Sequence, residues 1–131
     1  MVKAVDVNAV LQTLPLLEGR TRHTSEEEAG PAFATLAAFG DGGVFAGSFQ
    51  GESPWVRHPA GDELVQVLGG HTRLTILTEA GPQALEMSAG HVTVVPKGCW
   101  HRFEAPEGVT VMTATPLPTE HSAEDPVAAQ E

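Results

Sequence analysis

The chain has little cysteine, no tyrosine, few basic residues and no long apolar run, and each scarcity excludes something. Its one cysteine, Cys99, cannot close an internal disulfide, so stability makes no demand for an oxidising compartment. Seven Lys and Arg stand against seventeen Asp and Glu, a net charge of −10 at pH 7. That balance repels phosphate backbones, no cluster of Lys or Arg offers a local exception, and no helix-turn-helix pattern is present, which argues against a nucleic-acid partner. No stretch approaches 18 consecutive apolar residues, and the opening segment MVKAVDVNAVLQTLP lacks the apolar core of a signal peptide. The expectation is a cytoplasmic protein with no membrane partner.

What is present describes an ordinary globular domain: 131 residues, 41% apolar and 18% charged, with five Phe and two Trp as bulky core material. A chain of this size buries roughly two-thirds of the surface its unfolded form exposes, so one core suffices. Residues 6–14 predict a short helix capped by Asp6 or Asn8 and stopped by Pro15. The polar stretch that follows, up to residue 31, reads as a surface loop, with Glu26, Glu27 and Glu28 as a solvated face. From residue 32 short runs of Val, Phe, Leu, Ile and Thr alternate with Gly/Pro/Asp clusters. They predict strands near 32–39, 43–50, 55–58, 63–69, 71–78, 83–87, 92–95, 100–104 and 109–115, with turns such as PAGD, PKG and APEG between them. The domain is read as all-β, with an N-terminal segment over 1–31, a barrel over 32–115 and an acidic, loosely ordered tail over 116–131. In Leu64–Leu68 both faces are apolar, Val65 and Val67 on one and Leu64 and Leu68 on the other. The second face therefore needs cover, for which a second subunit is one candidate.

Two stretches carry donor atoms. In WVRHPAGDELVQVLGG, residues 55–70, His58 ends one strand, a Pro-Ala-Gly-Asp turn follows, and Glu63 opens the next strand. In GHVTVVPKGCWHRF, residues 90–103, His101 follows a Pro-Lys-Gly turn. Imidazole with carboxylate suits Fe, Mn, Ni or Zn, and two histidines with one carboxylate match the ligand set of non-haem iron oxygenases.

These stretches resemble the paired motifs of the cupin superfamily. The second motif runs Gly, five residues, Pro, any residue, Gly, two residues, His, three residues, Asn. Gly90, Pro96, Gly98 and His101 keep every spacing, and Ala105 stands in place of the Asn. In the first motif, Gly, five residues, His-any-His, three or four residues, Glu, six residues, Gly, this chain places His58 on the second His, Glu63 on the Glu and Gly70 on the closing Gly. Gly51 falls one residue short, and Val56 replaces the first His. The resemblance implies a double-stranded β-helix, the jelly-roll cupin barrel, commonly dimeric, preceded here by the short helical segment. It implies His58, Glu63 and His101 as ligands of a divalent transition metal, and a metal-dependent enzyme acting on a small molecule by dioxygenase- or isomerase-type chemistry. With Val56 on the same side of its strand as His58, the competing expectation is a non-catalytic small-ligand-binding cupin with a degenerate or empty metal site.

The remaining candidates weigh toward structure. Cys99 reads as a small buried hydrophobe before a soft ligand, His71 and His91 as edge residues, and Asp62 as a turn residue. His23 and His121 have no partner legible in the sequence. Phe45, Phe49 and Phe103 are core candidates first and cavity walls second. Arg57 and Arg102 alternate away from the neighbouring histidines, toward salt bridges, and Gln66 is placed for a hydrogen bond or subunit contact.

Overall fold

The computed structural model describes residues 2–126. Asp6 accepts a hydrogen bond from the Ala9 amide at 3.1 Å and so starts helix α1, Val7–Leu11, shorter than the expected 6–14. The presumed loop after it holds two elements. Strand β1, Leu17–Arg20, and helix α2, Glu26–Ala29, are followed by a 3₁₀ turn, Gly30–Ala32. Helix α2 starts at a capping box in which Ser25 and Glu28 satisfy each other's backbone amides. That Ser-x-x-Glu pattern was visible in the sequence but stood among too many charges to read as a helix start.

The rest is strand: β2 Phe33–Phe39, β3 Gly42–Glu52, β4 Trp55–Arg57, β5 Glu63–Thr78, β6 Gly81–Ser88, β7 Val92–Val95, β8 His101–Thr115 and β9 Glu120–Ser122. The all-β expectation holds, and the strands curl into a jelly-roll barrel. Strand β8 is its spine, antiparallel to β3 on one side and to β5 on the other, while β5 also pairs with β7 through its first half and β6 through its second. Two expected interruptions are bends within longer strands. Residues 63–78 form one strand whose register shifts on either side of Gly69 and Gly70, and residues 101–115 run through the Ala-Pro-Glu-Gly segment unbroken. Such bulges bend a long strand without ending it. Gly70 has φ +72°, and a Cβ there would strike the backbone of Gly108, so the close approach of β5 to β8 at the bend requires glycine.

Pairing also extends past both ends of the expected barrel. β1 lies parallel to β3, and β9 lies antiparallel to β4 with Val56 opposite His121. Residues 120–122 therefore form a paired strand, where loose order was expected; residues 127–131 lie outside the described ones. Gly51 makes the first junction possible: its φ is +119°, and a Cβ there would overlap the backbone of Arg20, its partner across β1.

The barrel interior is packed by Phe49, Val65, Val67, Leu74, Phe103 and Val111 among others. Full burial of side chains of this size stabilises by about 1.5–3 kcal/mol each. The same interior holds the buried polar cluster described next. On the outer face of β5, Leu64 and its partner Val94 remain exposed, as does Val92 opposite Gln66, so the chain alone does not cover that face.

Candidate metal centre

His58, Glu63 and His101 come from separate strand ends brought together by two interlocked turns. The turn after β4 and the turn before β8 clamp each other. The Gly98 amide donates to the His58 carbonyl at 3.0 Å, and the Lys97 amide donates to Asp62 Oδ1 at 2.8 Å. Asp62 is thus the turn residue expected of it. Glu63 is the first residue of β5 and faces inward beside Val95, its cross-strand partner on β7; His101 is the first residue of β8, opposite both Val56 and Ile76. Alternation then sends their side chains into the barrel, where the three residues are only 5%, 6% and 0% exposed.

Their donor atoms all lie within 4.8 Å of one another. His101 Nε2 is 3.0 Å from Glu63 Oε1, and His58 Nε2 is 3.2 Å from Glu63 Oε2. The outer atoms of the two rings are held as well: the Cys99 carbonyl lies 3.0 Å from His101 Nδ1, and the Thr119 hydroxyl lies 3.0 Å from His58 Nδ1. Thr115 donates to Glu63 Oε2 at 2.6 Å and is itself bonded to the Thr113 hydroxyl. Burial alone would raise the Glu63 carboxyl, but the His101 and His58 imidazoles beside it outweigh that and hold the group down to about 2.

A divalent metal fits this donor set. A carbonyl only accepts, so the Cys99 oxygen keeps the proton of His101 on Nδ1 and leaves Nε2 as a lone-pair donor toward Glu63 in the neutral ring. His58 Nε2 is buried, and its contact with Glu63 Oε2 at 3.2 Å is an ion-pair approach without hydrogen-bond geometry. Two imidazole nitrogens and a carboxylate facing one another are satisfied by a cation between them, and donors at ordinary metal distances of about 2.1 Å sit about 3 Å apart. A buried orphan nitrogen otherwise costs about 1–3 kcal/mol.

Two of the three, His58 and Glu63, line a cavity of about 590 Å³, while His101 is fully buried. Phe33, Phe45, Phe49, Phe103 and Val56 contribute apolar wall, so the expected placement of Val56 beside His58 and the second role given to the phenylalanines both hold. Other expectations divide. Cys99 packs on the core and is not part of the donor cluster, His71 pairs with Glu86, and His91 caps the turn at Ser88. Arg57 pairs with Glu120, and Arg102 lies near Glu52 and Glu104, as expected. Two corrections concern the cavity. His121 does have a partner, Glu26 at 2.9 Å, and the two residues line the cavity together, so Glu26 belongs to more than a solvated face. Arg20, Thr115, Thr119 and Leu117 also line it and were not anticipated. Thr113 and Thr115 continue the inward alternation of Val109 and Val111, a signal that was available. Arg20 sits in a polar segment with no local signal at all.

A curled jelly-roll with a buried His/Glu/His cluster inside it defines a class of barrel, and comparison with known proteins narrows it. The profile of the cupin domain matches residues 49–114, half of the chain, and the chain belongs to that family. No curated protein matches its sequence. Among solved structures it is similar to a cupin-2 domain protein from Shewanella frigidimarina NCIMB 400, with a TM-score of 0.54, 24% identity, and coverage of 69% of this chain and 79% of that one. It is similar to the hydroquinone 1,2-dioxygenase PnpCD in complex with Cd²⁺ and 4-hydroxybenzonitrile, at a TM-score of 0.57, 20% identity, and coverage of 76% and 77%. It is also similar to the oxalate decarboxylase of Lactobacillus farciminis, at 0.54 and 15%, covering 60% of this chain but 26% of that one. At these identities the likeness shows the fold.

Proposed function

We propose that this cupin holds a divalent transition metal (Fe, Mn, Ni or Zn) through His58, Glu63 and His101 and acts on a small molecule in the adjoining cavity, by dioxygenase- or isomerase-type chemistry. The observation that carries the reading is the buried convergence of three donors, with His58 Nε2 and His101 Nε2 both turned to the Glu63 carboxylate and with His58 and Glu63 lining a cavity. A metal with open positions supplies a Lewis acid and, for iron, the means of activating oxygen. The chain's own residues do the rest. Glu63 is kept ionised, and Thr115, Thr119 and the Cys99 carbonyl hold the donors in orientation. The phenyl walls and Val56 exclude water from the cavity beside them.

Val56 favours a second reading, a non-catalytic small-ligand-binding cupin whose metal site is degenerate or empty, because an isopropyl group lines the cavity where a further imidazole stands in the motif. Metal analysis of the purified protein tests the first reading. About one transition metal per chain is expected, falling sharply in His101→Ala; unchanged content in that variant defeats the ligand assignment.

We place residues 1–31, 32–115 and 116–131 as N-terminal segment, barrel and tail of one unit, its flanks tied to the barrel by β1 and β9. The exposed row of Leu64, Val92 and Val94 supports a homodimer. No helix among the described residues is long and apolar enough to cross a membrane. An unpaired Cys99 is at home in the reducing cytoplasm, where we place the protein.

A further inference from the structure

Arg20 is a cation in the wrong company. The chain carries ten more acids than bases, and the arginines of the barrel proper find carboxylates: Arg57 meets Glu120, Arg73 meets Glu86, and Arg102 lies near Glu52 and Glu104. Arg20 has no ion pair and no side-chain hydrogen bond among the described residues. Its Nε is shut off from solvent without a partner, and its Cζ lies 4.7 Å from the Phe49 ring centre and 5.5 Å from that of Phe33. Burial lowers its pKa to about 10, so it stays charged at neutral pH.

The carboxylates that line the same cavity are already engaged. Glu63 is taken by His101, His58 and Thr115, and Glu26 by His121. The position of Arg20 is also built: its backbone lies against Gly51, where no Cβ fits, and the neighbouring Gly19 amide donates to Gln50 Oε1 at 2.7 Å. A partly desolvated guanidinium costs free energy unless something anionic completes it. The phenyl rings stacked on it leave its planar fork of N–H donors for a partner of matching shape, which a carboxylate has. From Arg20 toward the donor cluster the cavity wall is aromatic, with Phe49 and Phe103 6.2 Å apart between ring centres, and Phe103 lies 6.3 Å from the buried His101 ring.

We propose that Arg20 binds the carboxylate of the small molecule that enters this cavity, so that the ligand is an organic acid with an apolar or aryl body lying along Phe49 and Phe103. This deepens the proposed function and shares its cavity, but the anion site does not need the metal to form.

The test is calorimetric titration of the full chain with benzoate, phenylacetate and 3-phenylpropionate, each against its neutral amide, in the wild type, Arg20→Gln, Arg20→Lys and His101→Ala. At least one acid is expected to bind the wild type tenfold or more tightly than its amide, a preference abolished in Arg20→Gln with metal content unchanged. Should Arg20→Gln fail to fold, Arg20→Lys decides, since it keeps the charge but not the fork; it is expected to weaken acid binding severalfold. Equal binding of acid and amide, no binding by any of the three acids, or a wild-type preference surviving in the folded Arg20 variant each overturns the proposal. The last result, if the preference vanishes in His101→Ala instead, assigns the carboxylate to the metal. Acid preference in a wild-type protein that holds no metal keeps the Arg20 site and defeats only the metal reading.

Discussion

Glu63→Gln is the sharpest perturbation of the donor cluster, because it keeps side-chain volume and an oxygen for the Thr115 hydroxyl while removing the negative charge that both histidines face. In the wild type, metal that binds only the folded chain stabilises it by RT ln(1 + [M]/Kd), about 2.7 kcal/mol at a concentration 100 times Kd. For a domain of this size that corresponds to a rise in Tm of about 10 °C. Orienting groups around a metal are worth about 10–100-fold in affinity, and a direct donor should be worth at least the upper figure. At the same metal concentration the variant then sits near its own Kd and gains only about 0.4 kcal/mol, or about 1–2 °C. The assay is thermal unfolding of chelator-treated protein titrated separately with Fe²⁺, Mn²⁺, Ni²⁺ and Zn²⁺. An increment in Glu63→Gln equal to that of the wild type would refute the reasoning, since the carboxylate would then contribute nothing to the site.

Two further outcomes are expected. In the metal-free protein Glu63 is held near 2 when folded, against an ordinary 4.5, so between those values the unfolded chain binds a proton that the folded one refuses. Its contribution, on the order of 3 kcal/mol, is present above pH 4.5 and falls away with acidification, roughly 2 kcal/mol of it by pH 3. Urea unfolding at pH 7 and pH 3 should show this loss in the wild type and not in Glu63→Gln. If the outer row of β5 and β7 is a subunit contact, sedimentation should give a dimer for the wild type and a monomer for Val94→Lys, with unfolding little changed because Val94 is 51% exposed. A dimer indifferent to that charge places the contact elsewhere.

The strands were legible because each is a short run of β-branched and aromatic residues between turn residues, a signal that depends only on neighbours in sequence. The spacing around His58, Glu63 and His101 was legible for a related reason. Gly90, Pro96 and Gly98 shape a turn, and a turn of fixed length delivers the next strand's first residue to a fixed place. The sequence alone thus determined an all-β chain and three candidate donors at strand ends. It misjudged what lay between strands wherever glycine has two uses, since Gly69–Gly70 and Gly108 bend continuous strands rather than end them.

Only the tertiary structure decided how the cavity is finished. Arg20 reaches it because β1 lies along β3 at Gly51, and His121 meets Glu26 because β9 lies along β4. Those pairings join segments some 30 or more residues apart through backbone hydrogen bonds, which carry almost no side-chain signature. The approach of His58 Nε2 to Glu63 and the missing counter-charge of Arg20 are likewise facts about who is near whom. Burial turns an ordinary histidine and an ordinary arginine into groups that require a partner, and burial belongs to the folded chain.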